Sequence, residues 1–150
     1  MRTGLDDPLQ KVAAFKGGEW IDDFTHMEDV ELFVENASEY RSIASLPVVC
    51  GLARYKDDHS EPVPALEFAV LSRDEYAMVM WEGDLGFSGP PVSSRREAPV
   101  AVTDAPHSSR LVRPDDLAVR SADLLATVRQ YVVTGRRPDV ILWRSDMNHP

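Results

Sequence analysis

The side chains best suited to chemistry at neutral pH are few in this chain, which has four histidines and one cysteine. The densest group is Asp57-Asp58-His59, but three consecutive side chains rarely converge on one metal ion, and no second histidine is spaced to join them. Cys50 lies in the apolar run LPVVCGL, where burial raises the pKa of a thiol and suppresses the reactive thiolate. The sequence therefore predicts no catalytic residue, no metal site and no cofactor. A small metal-binding enzyme that uses residues 57–59 with carboxylates from elsewhere is the alternative hypothesis.

Charge is distributed unevenly along the chain. The 16 Lys and Arg against 25 Asp and Glu give a net charge of −9, which opposes binding to nucleic acid because phosphates require a basic surface. Residues 1–84 carry 18 acidic and seven basic groups, whereas residues 85–150 carry seven and nine. A partner attracted electrostatically to the first half should therefore be basic. The alternative is that the acidic surface serves only solubility.

Four glutamates recur at helical spacing and predict an acidic stripe along one face of a helix. They are Glu28, Glu31, Glu35 and Glu39, and no Lys or Arg occurs from 22 through 40 to neutralise them. Like charges at this spacing each cost about 0.2–0.5 kcal/mol of helix stability, and the helix dipole offsets this cost only in the first turn. We therefore interpret the stripe as a docking site for a basic surface. Further residues would extend this site if they lie on the same side: Asp57, Asp58, Glu61, Trp81, Glu82 and Asp84.

Hydrophobic periodicity predicts the elements that position these residues. Residues 9–24 should form a hairpin around paired glycines, and residues 25–38 a helix that starts at a capping box between Thr25 and Glu28. Ser121 should cap a second helix, which Gly135 ends. Short apolar runs predict strands at 46–52, 65–71, 76–81, 99–103 and 140–143, with a loop or irregular hairpin at 83–94 and a connection at 104–116.

In this order the strands run together between helices and do not alternate with them. Such an order favours a single α+β domain with a mostly antiparallel β-sheet and two main helices packed against it, in which residues 1–8 and 145–150 fray. No apolar run approaches the roughly 20 residues that a membrane helix needs, and the first residues lack the apolar core of a secretory signal. We therefore expect a soluble, cytoplasmic protein.

The last third of the chain combines a helix with the turn TGRRP at 134–138 and the strand VILW at 140–143. Together with ALEFAVL at 65–71 and YAMVMWEGDLGFSG at 76–89, this arrangement resembles immunity protein family one of bacterial polymorphic toxin systems over residues 25–144. The resemblance implies a small cytoplasmic antidote that binds a cognate toxin, often a deaminase acting on nucleic acid, and blocks it. It assigns no binding residue, because members of the family differ most at the surface that faces the toxin.

The leading hypothesis is therefore a protein without enzymatic activity that occludes the active site of a toxin domain with a basic surface. We expect it to act as a monomer in a heterodimer and to bind neither nucleic acid nor membrane. Tight binding would require an interface of roughly 1,200–2,000 Å². An acidic adaptor for a basic protein unrelated to toxins is a further alternative.

Overall fold

The computed structural model describes residues 8–55, 61–71, 76–88 and 99–145. Along these residues the elements are β1 (Pro8–Lys16), β2 (Glu19–His26), α1 (Met27–Glu35), β3 (Cys50–Arg54), β4 (Leu66–Ala69), β5 (Met78–Trp81), β6 (Asp84–Phe87), β7 (Val100–Ala105), β8 (Ser108–Val112), α2 (Ser121–Thr134) and β9 (Leu142–Ser145). Short 3-10 helices follow α1 at Ala37–Glu39 and precede α2 at Pro114–Asp116.

Seven of these strands form one antiparallel sheet in the order β2-β1-β3-β4-β5-β6-β9, and β7 pairs with β8 as a separate hairpin. The β1–β2 hairpin turns at Gly17 and Gly18, whose φ values of 57° and 80° are the left-handed conformation that paired glycines predict. A Cβ atom on Gly18 would lie 2.9 Å from the Cα atom of Ala105. This turn therefore also packs closely against the β7–β8 hairpin.

The central strands are buried on both faces, and side chains that alternate along such a strand enter two different cores. On β5, Val79 joins the core beneath the two helices, while Met78 and Met80 join a second core. Val102 and Val112 of the β7–β8 hairpin complete this second core. The predicted interior strand at 76–81, apolar on both faces, is therefore confirmed.

The predicted fold class is confirmed, but some local predictions are wrong. α1 starts at Met27 after an N-cap at His26 that makes no side-chain cap bond, because Thr25 still belongs to β2. The predicted capping box between Thr25 and Glu28 therefore does not form. The connection predicted at 104–116 contains β8, which the pairing with β7 and the burial of Val112 stabilise although most of its side chains are polar.

The second helix forms where the sequence predicts it. Gly135 adopts a φ of 71° directly after Thr134 and so ends α2, although Arg120 and not Ser121 is the N-cap residue.

Three predictions concern segments that the structure describes only partly. The described part of 83–94 is a hairpin between β5 and β6, and residues 89–94 lie outside the described residues. Of the two ends predicted to fray, Pro8 and Ser145 belong to strands. The rest of these ends, 1–7 and 146–150, lies outside the described part of the chain.

Candidate functional site

Residues 19–40 form one edge of the sheet together with the helix beside it, and we call them the β2–α1 surface. Among the described residues, β2 pairs only with β1 and so leaves its outer edge without a neighbouring strand. α1 follows β2 without a break, and the Phe33 ring packs against Phe24 of β2 with 5.7 Å between ring centres. This segment contains eight Asp and Glu and no Lys or Arg. The segment itself therefore carries only acidic charge.

The α1 helix turns an apolar face into the core and an acidic face outward. Its buried apolar residues are Met27, Val30, Phe33 and Val34. The outward positions include Glu28, Leu32 and Glu35, and the Leu32 side chain is 54% exposed. An apolar side chain flanked by two carboxylates thus occupies the exposed face, a combination suited to contact with a basic and partly apolar protein surface.

Glu31 has a different environment from the other members of the predicted stripe. It is only 9% exposed and forms an ion pair with Arg129 of α2. The absence of Lys and Arg from 22 through 40 predicts that no carboxylate of the stripe is neutralised. Arg129, which is distant in sequence, nevertheless neutralises Glu31. In this structure Glu31 links α1 to α2.

The C-terminal end of α1 lies beside the start of α2. A cleft of about 170 Å³ separates the two helices there, and its lining residues are Val34, Glu35, Ser38, Val70, Ser121, Leu124 and Leu125. Glu39 is exposed at the end of the following 3-10 helix. Glu28, Glu35 and Glu39 make no ion pair with any described residue. Three of the four stripe carboxylates are therefore exposed and have no ion-pair partner among the described residues.

The carboxylates predicted to extend the stripe lie in other places. Glu82 is exposed in the β5–β6 turn, and Asp84 forms an ion pair with Arg137 at 3.3 Å. The strand order puts this turn four strand spacings, or about 19 Å, from β2. Trp81 is half-buried, with its ring centre 5.4 Å from that of Tyr131 in an edge-to-face contact at the margin of the core.

Three acidic residues of the segment 57–61 were also predicted to extend the stripe. Glu61 is exposed, whereas Asp57 and Asp58 lie outside the described residues together with His59. Glu28 and Glu35 therefore share one exposed face with Glu39 just beyond it, and Glu82 and Asp84 form a second group at a distance from β2.

The β2–α1 surface contains one exposed aromatic residue that the sequence pattern did not indicate as a candidate site residue. Trp20 is 50% exposed, and its indole Nε1–H donates a hydrogen bond of 2.9 Å to Oδ1 of Asp23. The Tyr55 hydroxyl donates to the same oxygen at 2.7 Å, and the Trp20 and Tyr55 ring centres lie 6.2 Å apart. Burial, and next the hydrogen bond to Asp23, raise the pKa of Tyr55 to about 12. The sequence feature that could have indicated this residue is a tryptophan close to three carboxylates, Glu19, Asp22 and Asp23, in a predicted strand.

The described residues offer little for catalysis. No group of three or more His, Cys, Asp or Glu among them is arranged to hold a metal ion. Burial raises the pKa of the Cys50 thiol to about 12, so this thiol is protonated at neutral pH and is a poor nucleophile. None of the described helices has the length and apolar content needed to cross a bilayer.

Comparison with known proteins identifies the family. The family model described as immunity protein Imm1 matches residues 24–145, which include α1, α2 and the strands β3 to β9. In the comparisons with curated proteins and with solved structures, nothing matched the chain. Because the family model spans most of the sequence, the chain belongs to the Imm1 family, whose members are non-enzymatic inhibitors of toxins in polymorphic toxin systems.

Proposed function

We propose that this immunity protein binds a cognate toxin that deaminates nucleic acid bases and blocks its active site with the β2–α1 surface. The single observation that carries this proposal is the exposure of unpaired carboxylates and apolar side chains on one surface whose residues, 19–40, include no Lys or Arg. The complex would form in the cytoplasm of the producing cell with one copy of each protein.

The charge of the β2–α1 surface fits the chemistry of such a toxin. An enzyme that holds DNA or RNA needs a basic channel to bind the phosphate backbone. An acidic protein is attracted to the same channel, associates faster because of this attraction, and excludes the substrate once it is bound. Inhibition then requires no chemistry from the immunity protein.

Two groups of carboxylates are available to the toxin. Glu28, Glu35 and Glu39 belong to the β2–α1 surface, and we place the main contact there. We assign Glu61, Glu82 and Asp84, with Trp81, to a second group that a large toxin could also reach, although Arg137 already pairs with Asp84. Asp57 and Asp58 were predicted, like these residues, to extend the stripe of the helix. Glu31 supports the surface from within through Arg129.

The proposal is tested with the toxin encoded beside this protein. Both proteins are purified, their complex is measured by size-exclusion chromatography with light scattering, and the conversion of cytosine or adenine in a nucleic acid substrate is followed by mass spectrometry. We expect a 1:1 complex, loss of base conversion at one molar equivalent, and affinity that falls steeply as salt increases. Co-purification without inhibition would overturn occlusion, and a bound toxin that converts no base would overturn the deaminase assignment.

A further inference from the structure

We propose that Trp20 is an anchor of the toxin interface and that its exposed indole face receives an arginine or lysine side chain of the toxin. This inference rests on the proposed function and names one contact within it. It concerns the side of β2 that faces away from α1, because Trp20 lies opposite Phe15, which packs with Ala13 and Tyr55 outside the core beneath the helices.

The indole of Trp20 is held in a fixed position before any partner binds. Its hydrogen bond to Asp23 and its edge-to-face contact with Tyr55 both restrict rotation of the ring. Tyr55 is itself buried and shares the same carboxylate oxygen. A side chain that is already ordered loses little conformational entropy on binding, and large aromatic residues of this kind dominate the energetics of protein interfaces.

The surroundings of Trp20 favour a cation over other ligands. The carboxylate of Asp23 lies against the indole edge, and its Oδ2 accepts no hydrogen bond from the described residues. A guanidinium or ammonium group stacked on the ring could therefore interact with the π-system and with this carboxylate at once.

The protein already uses the same chemistry inside this region. The Lys11 ammonium lies 4.2 Å from the centre of the Tyr55 ring, and the Lys16 ammonium lies 3.6 Å from the centre of the Tyr40 ring. These two cations are engaged on tyrosine rings, whereas half of the Trp20 surface is exposed. Among the described residues no cation lies over the Trp20 ring, so its exposed surface can receive a cation from the partner.

The edge of β2 gives a partner access to this face. The pairing of Ala14 with Asp22 and of Phe15 with Trp20 leaves Ile21 as the extra residue of a β-bulge. Ile21 is 43% exposed and adds apolar surface next to Trp20. A basic protein that approaches this edge would therefore find a carboxylate, an ordered indole and an aliphatic side chain together.

The test measures the affinity of the full-length protein for its cognate toxin by calorimetry, using Trp20→Ala, Trp20→Phe and Asp23→Asn. We expect Trp20→Ala to weaken binding by about 30-fold or more. Trp20→Phe keeps a ring with a weaker π-system and should lose about 3- to 10-fold. Asp23→Asn keeps an acceptor for the indole while removing the charge, and should also weaken binding. Leu142→Ala, which truncates an apolar side chain of similar exposure on the opposite edge strand, is the matched control and should bind like the wild type.

The possible results separate this inference from the proposed function. If the wild type binds and inhibits the toxin but folded Trp20→Ala and Trp20→Phe bind equally well, the anchor is wrong and the function stands. If the wild type does not bind the toxin, the proposed function itself fails. Circular dichroism and thermal melting establish that each variant is folded, and if Trp20→Ala is not, Trp20→Phe and Asp23→Asn decide the outcome. Protection of tryptophan fluorescence from acrylamide upon toxin binding, lost in Trp20→Phe, would support direct contact.

Discussion

The β2–α1 surface and the region from α2 to β9 have opposite net charge, and their charged side chains differ in how many are paired within the protein. Residues 19–40 contain eight acidic and no basic side chains, whereas residues 120–145 contain five arginines and two aspartates. Three of these arginines form ion pairs within the protein, with Asp123, Glu31 and Asp84. A fourth, Arg144, donates a hydrogen bond to the carbonyl oxygen of Asp115 at 3.1 Å.

This difference separates charges that are paired within the fold from charges that are unpaired among the described residues. The arginines near α2 are mostly engaged by acceptors of the same chain, including one carboxylate from α1. Most carboxylates of the β2–α1 surface have no such counterpart among the described residues. Because exposed ion pairs contribute only about 0–1 kcal/mol to stability, the lack of a counterpart for these carboxylates costs the fold little.

The largest effect should follow from reversing the free charges of the β2–α1 surface. We expect Glu28→Lys with Glu35→Lys to slow association with the toxin by about 10- to 100-fold at low ionic strength, because repulsion at these two positions offsets most of the attraction from the remaining carboxylates. The rate should also lose most of its salt dependence. Stopped-flow kinetics at several salt concentrations would measure both changes.

The second group of carboxylates provides the control for this experiment. Glu61→Lys with Glu82→Lys changes the net charge by the same amount at two exposed positions outside the β2–α1 surface. Equal slowing by both double variants would show that the association rate depends only on net charge. The β2–α1 surface would then have no special role in association. A larger effect of the control would move the main contact to the β5–β6 turn.

A smaller effect, on stability and not on binding, should follow from breaking the ion pair that joins the two regions. Arg129→Met retains most of the aliphatic packing but leaves the carboxylate of Glu31 largely buried without its partner. Since Arg129 is about half exposed and water can partly replace it, we expect a loss of about 1–2 kcal/mol in the free energy of unfolding. Urea denaturation would measure this loss, and Glu31→Gln in the same protein should restore part of it.

Glu35→Gln tests the opposite case, a carboxylate of α1 that has no ion pair. This variant removes an exposed charge of the same helix and should leave the free energy of unfolding nearly unchanged while weakening toxin binding. If Arg129→Met is as stable as the wild type, the ion pair does not stabilise the fold. Glu31 would then count among the carboxylates proposed to contact the toxin.

The sequence predicted the elements with a strong apolar period and missed contacts that only the fold creates. The paired glycines, the strand at 76–81 and the end of α2 at Gly135 follow from local chemistry and are observed. β8 was missed because its sequence SSRLV has few apolar residues, and it forms by pairing with β7. Propensity within a short polar strand is too weak to outweigh such pairing.

The same limit applies to the candidate site. Helical spacing places Glu28, Glu31 and Glu35 on adjacent positions, but the location of α2 decides that Glu31 points toward Arg129. The sequence pattern did not single out Trp20, because strand alternation does not show that β2 is an edge strand. Sequence patterns therefore predicted an acidic binding surface near α1, and only the tertiary arrangement identifies the members that reach solvent.

The smallest effect should come from an acidic residue that belongs to neither region. Glu67 of β4 is partly buried, and this burial raises the pKa of its carboxyl group; Asp104 adds to the increase, and Arg110 opposes it. A raised pKa means that the folded protein holds the proton more tightly than the unfolded chain. The stability linked to Glu67 is therefore complete at low pH and is lost as the pH rises through the pKa of the folded state.

Glu67→Gln should consequently be more stable than the wild type at pH 7 and nearly equal to it at about pH 4, where the glutamate is largely protonated. Thermal melting at both pH values would measure the difference, and the exposed Glu82→Gln controls for the general loss of one negative charge. A stabilisation of the same size at both pH values would show that packing, and not titration of Glu67, is responsible. A destabilisation at pH 7 would show that the attraction between Glu67 and Arg110 outweighs burial, so that this carboxylate, like Glu31, is held by an arginine from a distant part of the chain.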